Sequence, residues 1–484
     1  MKKILLILIL SLFLGGCLPE ERFWWTPDGQ QAAVLSEKAL YLVKPSGGLG
    51  EPLAGGTADK SVTPTALSWL PDGSGFVLCR ERKIASWDDV AKLIPTAEAS
   101  RIELLARAVP ALLGGAGKLD AKPAEAEALL TSVASGVDPG DFLNALLHAY
   151  LMNKPAIGQL LLKLPKGAEA LERLNGDGSQ FTVYDICLIL MKDGRKDGFP
   201  LSLARSLYAM SQPRVSKNSR AVAWFQMGAD QKSSSIEISS LDGKEHLTAC
   251  KTAKAAFDWT ADGCSLIFAS PVGGNGDSLA KIQRAVVIQE SGALVKSAAD
   301  TGTPNGLPPP VEMGMGILLD PPRLQVLPDG RVLFSSQPAT LPASGSGPEI
   351  DPRLYVLSAD GGKIVAVRTS PGTLPTNLSF FAASPDGKFA AVVESGNDAV
   401  AVVDLDTGAV EVISPSHPDW QCRTLPAWKS ASELTFAAVG KSGYPEWMLW
   451  SKTDGVRTIS VKWPAKATGD WLKQEDPKKQ PQKE

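Results

Sequence analysis

Short apolar runs separated by tight polar turns recur along most of the chain. The pattern is cleanest at 378–413, LSFFAASPDGKFAAVVESGNDAVAVVDLDTGAVEVI. It predicts four short β-strands at 378–383, 388–394, 399–405 and 409–413. The first pair is joined by Ser384-Pro385-Asp386-Gly387. Pro fixes φ at the first central position of a type I turn, Asp tolerates the second, and Gly takes the left-handed position that closes the hairpin. Further turns fall at 395–398 and at Asp406-Thr407-Gly408. One four-stranded meander leaves exposed edges and is too small to stand alone. Copies set radially around an axis remove that problem, so the pattern predicts a β-propeller.

Related turns mark the other units. They are Trp24-Trp25-Thr26-Pro27-Asp28-Gly29, Trp69-Leu70-Pro71-Asp72-Gly73, Trp259-Thr260-Ala261-Asp262-Gly263 and Val326-Leu327-Pro328-Asp329-Gly330. Two degenerate copies, Val215–Ser219 and Trp428–Ser432, fill the remaining gaps. Asp28 to Asp72 is 44 residues, Asn218 to Asp262 is 44, and Asp386 to Ala431 is 45, each a fitting length for one blade. The expected fold is therefore all-β, a seven-bladed propeller. Six or eight blades are the alternatives, because two of the turns are degenerate.

Three intervals run long, and each excess has an identifiable insertion. Within 88–178 the apolar period becomes helical, over 88–94, 97–113, 124–133, 139–152 and 156–164. Asp138-Pro139 offers a helix start and Gly114-Gly115 a stop. The β pattern returns at 182–191 and 199–206, so the helical module is expected between the second and third strands of the second blade. The other excesses are Pro-rich: 301–322 between two blades, and Gln337–Pro352 inside the fifth. A smaller Gly-rich insertion spans Pro271–Ser278. The layout read from the sequence is 1–17 signal and lipobox, 18–87 first blade and half of the second, 88–178 helical insertion, 179–464 the rest of the propeller, and 465–484 a charged tail that reads as disordered.

Strands of a meander alternate in direction. First-to-second and third-to-fourth turns must therefore share one face of the disc, and the remaining connections the other. The short Asp-Gly turns fall on the first face and every large insertion on the second. Long loops on a rigid scaffold are where binding resides. The innermost strands bring Phe23, Trp25, Trp69, Trp259 and Phe381 near the axis, where packing between blades is a more ordinary role for them than ligand stacking.

The N-terminus changes the picture. Lys2-Lys3, the apolar stretch Ile4–Leu14 and Leu14-Gly15-Gly16-Cys17 form a short export signal ending in a lipobox. The apolar stretch is too short to span a bilayer as a helix. An ordinary cleaved signal peptide is the plainer alternative. These residues resemble those of diacylated or triacylated bacterial envelope lipoproteins. That resemblance implies lipid attachment at Cys17 and anchoring through acyl chains. Leu18 stands where an Asp would mark inner-membrane retention, so an outer membrane is implied where the cell has two.

The chain carries 49 Lys and Arg against 52 Asp and Glu, net −3, and loss of Lys2 and Lys3 makes the mature part about −5. A mildly acidic chain without a basic patch is a poor nucleic-acid binder. Cys79, Cys187, Cys250, Cys264 and Cys422 are odd in number and scattered, without a CxxC pair. They read as buried thiols.

No catalytic constellation emerges. Gly-x-Ser-x-Gly does not occur. The three histidines, His148, His246 and His417, form no HxH or HxxxH pair. His417 and Asp419 lie on a connecting loop. Asn175-Gly176-Asp177-Gly178-Ser179 starts like a calcium loop but has Ile186 where the twelfth-position carboxylate belongs, so it reads as a junction turn. No catalytic, metal or cofactor-binding residue is expected, and Cys17 is the one site assigned.

Ser384–Gly387 and the turns at 26–29, 70–73 and 327–330 resemble the WD-like repeats of TolB-type propellers. The segment Asn397–Asp404 is similar to surface-layer propeller repeats. Such propellers serve as envelope binding modules and, in some cases, as lactonases or quinone-dependent enzymes. The resemblance implies an envelope lipoprotein that binds a protein or another envelope component through its elaborated face. The alternative is a lactonase-like hydrolase acting on a small molecule at the channel mouth.

Overall fold

A computed structural model describes residues 21–459 with internal breaks. Outside the description lie 1–20, 45–51, 116–122, 135–139, 274–278, 296–308, 338–352, 368–379, 394–398, 414–420, 440–444 and 460–484, and the short stretches 37, 57–58, 177, 193–194, 231–232, 290 and 423. Cys17, His417, the C-terminal tail, 301–308 and 338–352 thus fall outside it, whereas Val311–Leu318, inside the stretch expected to separate two blades, is itself a strand paired with Leu279–Val286.

The described strands form six antiparallel sheets. The first holds β1 (Phe23–Trp25), β2 (Ala32–Ser36), β3 (Ala39–Val43) and β4 (Pro52–Gly55). The second holds β5 (Val62–Trp69), β6 (Gly75–Ile84), β7 (Phe181–Lys192) and β8 (Arg195–Ser206). The third holds β9 (Met210–Val215), β10 (Ala221–Met227), β11 (Ser234–Ser240) and β12 (His246–Cys250). Next come β13 (Phe257–Trp259), β14 (Ser265–Pro271), β15 (Leu279–Val286) and β16 (Val311–Leu318), continuous with β17 (Leu324–Val326), β18 (Val332–Gln337), β19 (Arg353–Leu357) and β20 (Ile364–Ala366). The fifth holds β21 (Phe381–Ala383), β22 (Phe389–Val393), β23 (Val400–Asp404) and β24 (Val410–Val412). The last holds β25 (Gln421–Cys422), β26 (Ala427–Trp428), β27 (Glu433–Val439), β28 (Pro445–Ser451) and β29 (Gly455–Ile459).

The fold is a β-propeller, but the expectation of seven separate blades is corrected. Five sheets stand as single blades, and the sixth is one eight-stranded sheet. The cause is local. The end of β16 runs on to pair with β18, Ile317 opposite Gln337 and Leu318 opposite Ser336, before β17 takes over the same partner. The outer strand of one meander thus supplies the first rungs of the next.

Both faces of each sheet are covered, which explains the near-continuous apolar runs. In β22, Ala390 and Val392 pack toward β18 and β19, while Ala391 and Val393 pack toward β27 and β28. The two-residue period of a strand sorts them. Full burial of each valine contributes roughly 1.5–3 kcal/mol. The first and last sheets meet through Phe23, Trp25, Val34, Ala437 and Trp447. Phe23 stacks on Trp447 at 4.9 Å between ring centroids.

At the turn-bearing end of the axis, the inner strands are also tied to one another. Trp69 Nε1 donates to the Trp24 carbonyl at 2.9 Å, the Val215 N–H to Ser68 Oγ at 3.1 Å, and Trp259 Nε1 to the Arg214 carbonyl at 2.8 Å. The Val326 N–H donates to Asp258 Oδ2 at 2.9 Å, the Ala383 N–H to Gln325 Oε1 at 2.6 Å, and Trp428 Nε1 to the Ala382 carbonyl at 2.8 Å. Trp25 Nε1, donating to Thr435 Oγ1 at 2.8 Å, links the first sheet to the last.

The short turns meet on one face. Gly263 sits against the backbone of Asn218 in the neighbouring turn, and Arg331 Nη1 lies 3.4 Å from Asp406 Oδ1. In the Asp-Gly turns an Asp side chain caps the backbone, as where Asp386 Oδ1 accepts from Ser384 Oγ and the Lys388 N–H.

Among the described residues six helices lie between β6 and β7: α1 (Trp87–Ala91), α2 (Thr96–Gly115), α3 (Pro123–Ala134), α4 (Asp141–Met152), α5 (Lys154–Leu161) and α6 (Gly167–Asn175). Asn153 caps α5 by accepting from the Ala156 N–H at 3.2 Å, with Pro155 in the first turn. The helices share one core, in which Val90, Ile102, Leu130, Leu146 and Leu174 meet Phe181 and Val183 of β7.

Candidate functional site at the mouth of the axial channel

The inner strands begin at the end of the axis opposite the short turns, and a cavity of about 590 Å³ opens among those beginnings. Strand pairing is irregular there. The β5–β6 register shifts between Pro64 and Ala66, and the β9–β10 register shifts opposite Gln212, which has a φ of 53° and precedes Pro213. Pro321 and Pro322 separate the last rungs of β16 from β17, and a gap containing Leu425 separates β25 from β26. Proline has no N–H to give a ladder, so it falls where the ladder is already broken. Pro64, Gln212, Pro321, Pro322 and Leu425 all line the cavity.

The charged side chains of the wall are Glu21, Glu81, Arg214 and Arg323. Arg214 Nη1 lies 4.0 Å from Glu21 Oε1. Arg323 rests over the Phe381 ring, 5.9 Å from its centroid. Its Nε is buried without a hydrogen-bond partner. Burial pushes this guanidinium down to about 10, with Glu21 opposing the shift and Arg214 adding to it. The side chain is half-buried by accessible surface yet surrounded by protein, so it faces the cavity rather than bulk water. It remains charged at neutral pH. A cation held this way suits a carboxylate or phosphate group brought into the cavity.

The helical module is docked beside this mouth. Glu98 of α2 is buried and accepts from the Leu207 N–H and from Ser206 Oγ. Burial raises its carboxyl above the usual range, against the pull of those hydrogen bonds. Arg101 and Asp141 both bond the Tyr208 hydroxyl, and Arg101 Nε lies 2.7 Å from Asp141 Oδ2. Burial, then Asp141, raises the Tyr208 phenol. The Asp141 N–H also reaches the Ala229 carbonyl at 3.3 Å, in the loop between β10 and β11. The segment that grips the module, 206–208, runs directly into Ala209–Gln212 of the cavity wall.

The residues singled out from sequence are dispersed. Phe23 and Trp25 pack between the last and first sheets, Trp259 between the third and fourth, and Phe381 against β18 and β19. Trp69 is partly buried against Phe76. His148 stacks on Trp87 within the module, and burial lowers its pKa. His246 stacks on Trp224, 3.8 Å from Glu237. Cys79 and Cys187 lie on paired strands, but Cys79 is opposite Ile186, so the two side chains do not share a rung. Burial pushes both thiols up to about 12. Gly178 hydrogen-bonds back to Arg173 at the end of α6, as a junction turn does. Among the described residues no group of three His, Cys, Asp or Glu side chains is placed to hold a metal ion. No helix among them is long and apolar enough to cross a membrane.

Glu21, Arg214 and Arg323 escaped the sequence reading. Their shared signal is a charged residue just before the start, or one step before the end, of an inner strand.

No protein-family model matches the chain, and no curated protein matches it. Similar solved structures include TolB from Acinetobacter baumannii, with a TM-score of 0.36 and 19% identity over 57% of this chain and 60% of that one. The β-propeller domain of the Trilobed protease from Pyrococcus furiosus gives 0.38 and 12%, over 58% and 77%. A puromycin hydrolase gives 0.40 and 11%, over 58% of this chain and 43% of that one. The chain therefore spans less than two thirds of the length of the first and third of these.

Proposed function

We propose that this protein is an envelope lipoprotein, anchored through Cys17, whose propeller binds a protein or another envelope component through the face that carries the helical module. The binding is non-catalytic and needs no cofactor. In a cell with two membranes the anchor lies in the outer one, facing the periplasm. Residues 88–178 act as one insertion into the second blade of the propeller.

One observation carries this reading. The segment that fixes the module through Glu98 and Tyr208 continues directly into the wall of the axial cavity. Module and cavity therefore form one surface on the face opposite the short turns.

A photo-crosslinking amino acid placed at Ser211, in the cavity wall, or at Thr407, in a turn of the other face, tests it in native membranes. Adducts are expected from Ser211 alone, and they should diminish when 88–178 is replaced by a short Gly/Ser linker. Adducts from Thr407 that survive the deletion would refute this binding face.

A further inference from the structure

The position of the chain's first described residue bears on how the disc meets the membrane. Glu21 lines the axial cavity and pairs with Arg214, while the Arg22 carbonyl already accepts the Leu35 N–H of β2. The chain therefore enters the fold at the centre of the elaborated face, not at its rim. Leu18, Pro19 and Glu20 separate this point from Cys17. Fully extended, the four steps from Cys17 to Glu21 reach about 14 Å. A lipid on Cys17 places the tether's other end among the headgroups. A disc held at the centre of one face by so short a tether cannot present the other face to the bilayer.

Chemistry at the mouth agrees with such a neighbour. Arg323 is a retained charge with a buried, unpartnered Nε in the cavity wall. Arg214 has Glu21 beside it, while Arg323 makes no hydrogen bond or ion pair with any described residue. Phosphate is a group that a guanidinium matches well. The same face exposes Val272, just past the end of β14, and Leu279, at the start of β15, with Met315 further along β16. Exposed apolar side chains of this kind suit the interfacial zone of a bilayer.

We propose that the channel mouth lies against the membrane and that Arg323 takes the phosphate of a phospholipid headgroup. This rests on the reading of Cys17 as the lipid-bearing residue and deepens the proposed binding face by giving its occupant.

The full-length protein is purified from membranes and reconstituted in phosphatidylethanolamine–phosphatidylglycerol vesicles carrying a nitroxide-headgroup quencher. An environment-sensitive fluorescent amino acid is placed at Val272 or at Thr407. Strong quenching at Val272 and little at Thr407 is expected, and equal or reversed quenching would overturn the orientation. The mass of the N-terminal peptide separates the two readings. Without an acyl mass, both the anchor and the orientation fall. With one, a reversed pattern overturns the orientation alone.

A Gly/Ser segment of about 20 residues inserted after Glu20 then releases the tether's constraint. Quenching at Val272 should persist in that variant. It should drop on adding Arg323→Gln, because loss of one surface cation near anionic lipid weakens the contact constant about five-fold, and recover with Arg323→Lys. Loss of quenching on insertion alone, or no effect of Arg323→Gln, would overturn the headgroup contact.

Discussion

Trp259 donates its indole N–H to the carbonyl oxygen of Arg214, 45 residues earlier, at 2.8 Å. Trp69 and Trp24, and Trp428 and Ala382, repeat the relationship at nearly the same separation. The tryptophan that ends an inner strand is therefore a strut to the preceding blade as well as a core residue. Replacing Trp259 with Phe keeps most of the apolar volume but leaves the Arg214 carbonyl without this donor. The expected loss is about 1–3 kcal/mol. Trp428→Phe should cost a similar amount, read in both cases as a shift in the urea midpoint at unchanged slope.

The turn glycines differ in what surrounds them. Gly263 and Gly455 both have a φ of 70°. A Cβ on Gly263 would lie 2.8 Å from the Asn218 backbone nitrogen, whereas one on Gly455 would meet nothing within 4 Å. Gly455→Ala should cost only the left-handed conformation, about 1–2 kcal/mol. Gly263→Ala should cost clearly more, because two turns must separate. Equal losses in thermal or chemical unfolding would show that the turns do not bear on each other.

Glu98 makes the docking of the module pH-dependent. Its carboxyl is raised in the folded protein by burial, so the native state binds its proton more tightly than the unfolded chain does. This group favours folding least at high pH. Its contribution declines as pH rises from its ordinary value of 4.5 through the folded one. Glu98→Gln should remove that slope while still accepting from the Leu207 N–H. Glu98→Ala leaves that N–H unpaired and should speed its hydrogen exchange strongly, and exchange at Leu207 in the two variants is the decisive comparison.

The capped turn carboxylates act in the opposite sense. Asp28, Asp72, Asp262 and Asp404 are all lowered, and Asp242 is brought to about 2, chiefly by the Ser240 hydroxyl and then by the Lys244 N–H. Their stabilisation is complete above the ordinary carboxylate value and fades as pH falls below it, for Asp242 through about 2. The urea midpoint should drop across that window. Asp242→Asn should flatten the drop slightly without changing the midpoint's trend at neutral pH.

Much of this architecture was legible because each turn carries its own chemistry. At Val215–Ser219 the pattern is degenerate, yet Asn218 Oδ1 takes the aspartate's place and Ser219 adopts the glycine's positive φ of 54°. The fused sheet was not legible. It depends on Ile317 and Leu318 finding Gln337 and Ser336, a pairing that no turn motif marks. Helix α6 escaped notice because its apolar positions are few in a short, charged segment. The cavity was hidden for a related reason. Glu21 and Arg323 precede two inner strands and Arg214 lies in a third, and they converge only through the ring, so no local spacing links them.

The ring is joined by side chains at its seam. All strands of the first sheet come from the N-terminal end and all strands of the last from the C-terminal end. Phe23, Trp25 and Thr435 therefore find their partners only across almost the whole sequence. A chain leaving the ribosome or a translocation pore must carry the apolar flank of its opening blade unmatched until residues near Trp447 have emerged. Long-range closure of this kind is slow. Through that interval, the aromatic pair at the start of the chain is the surface most in need of a chaperone.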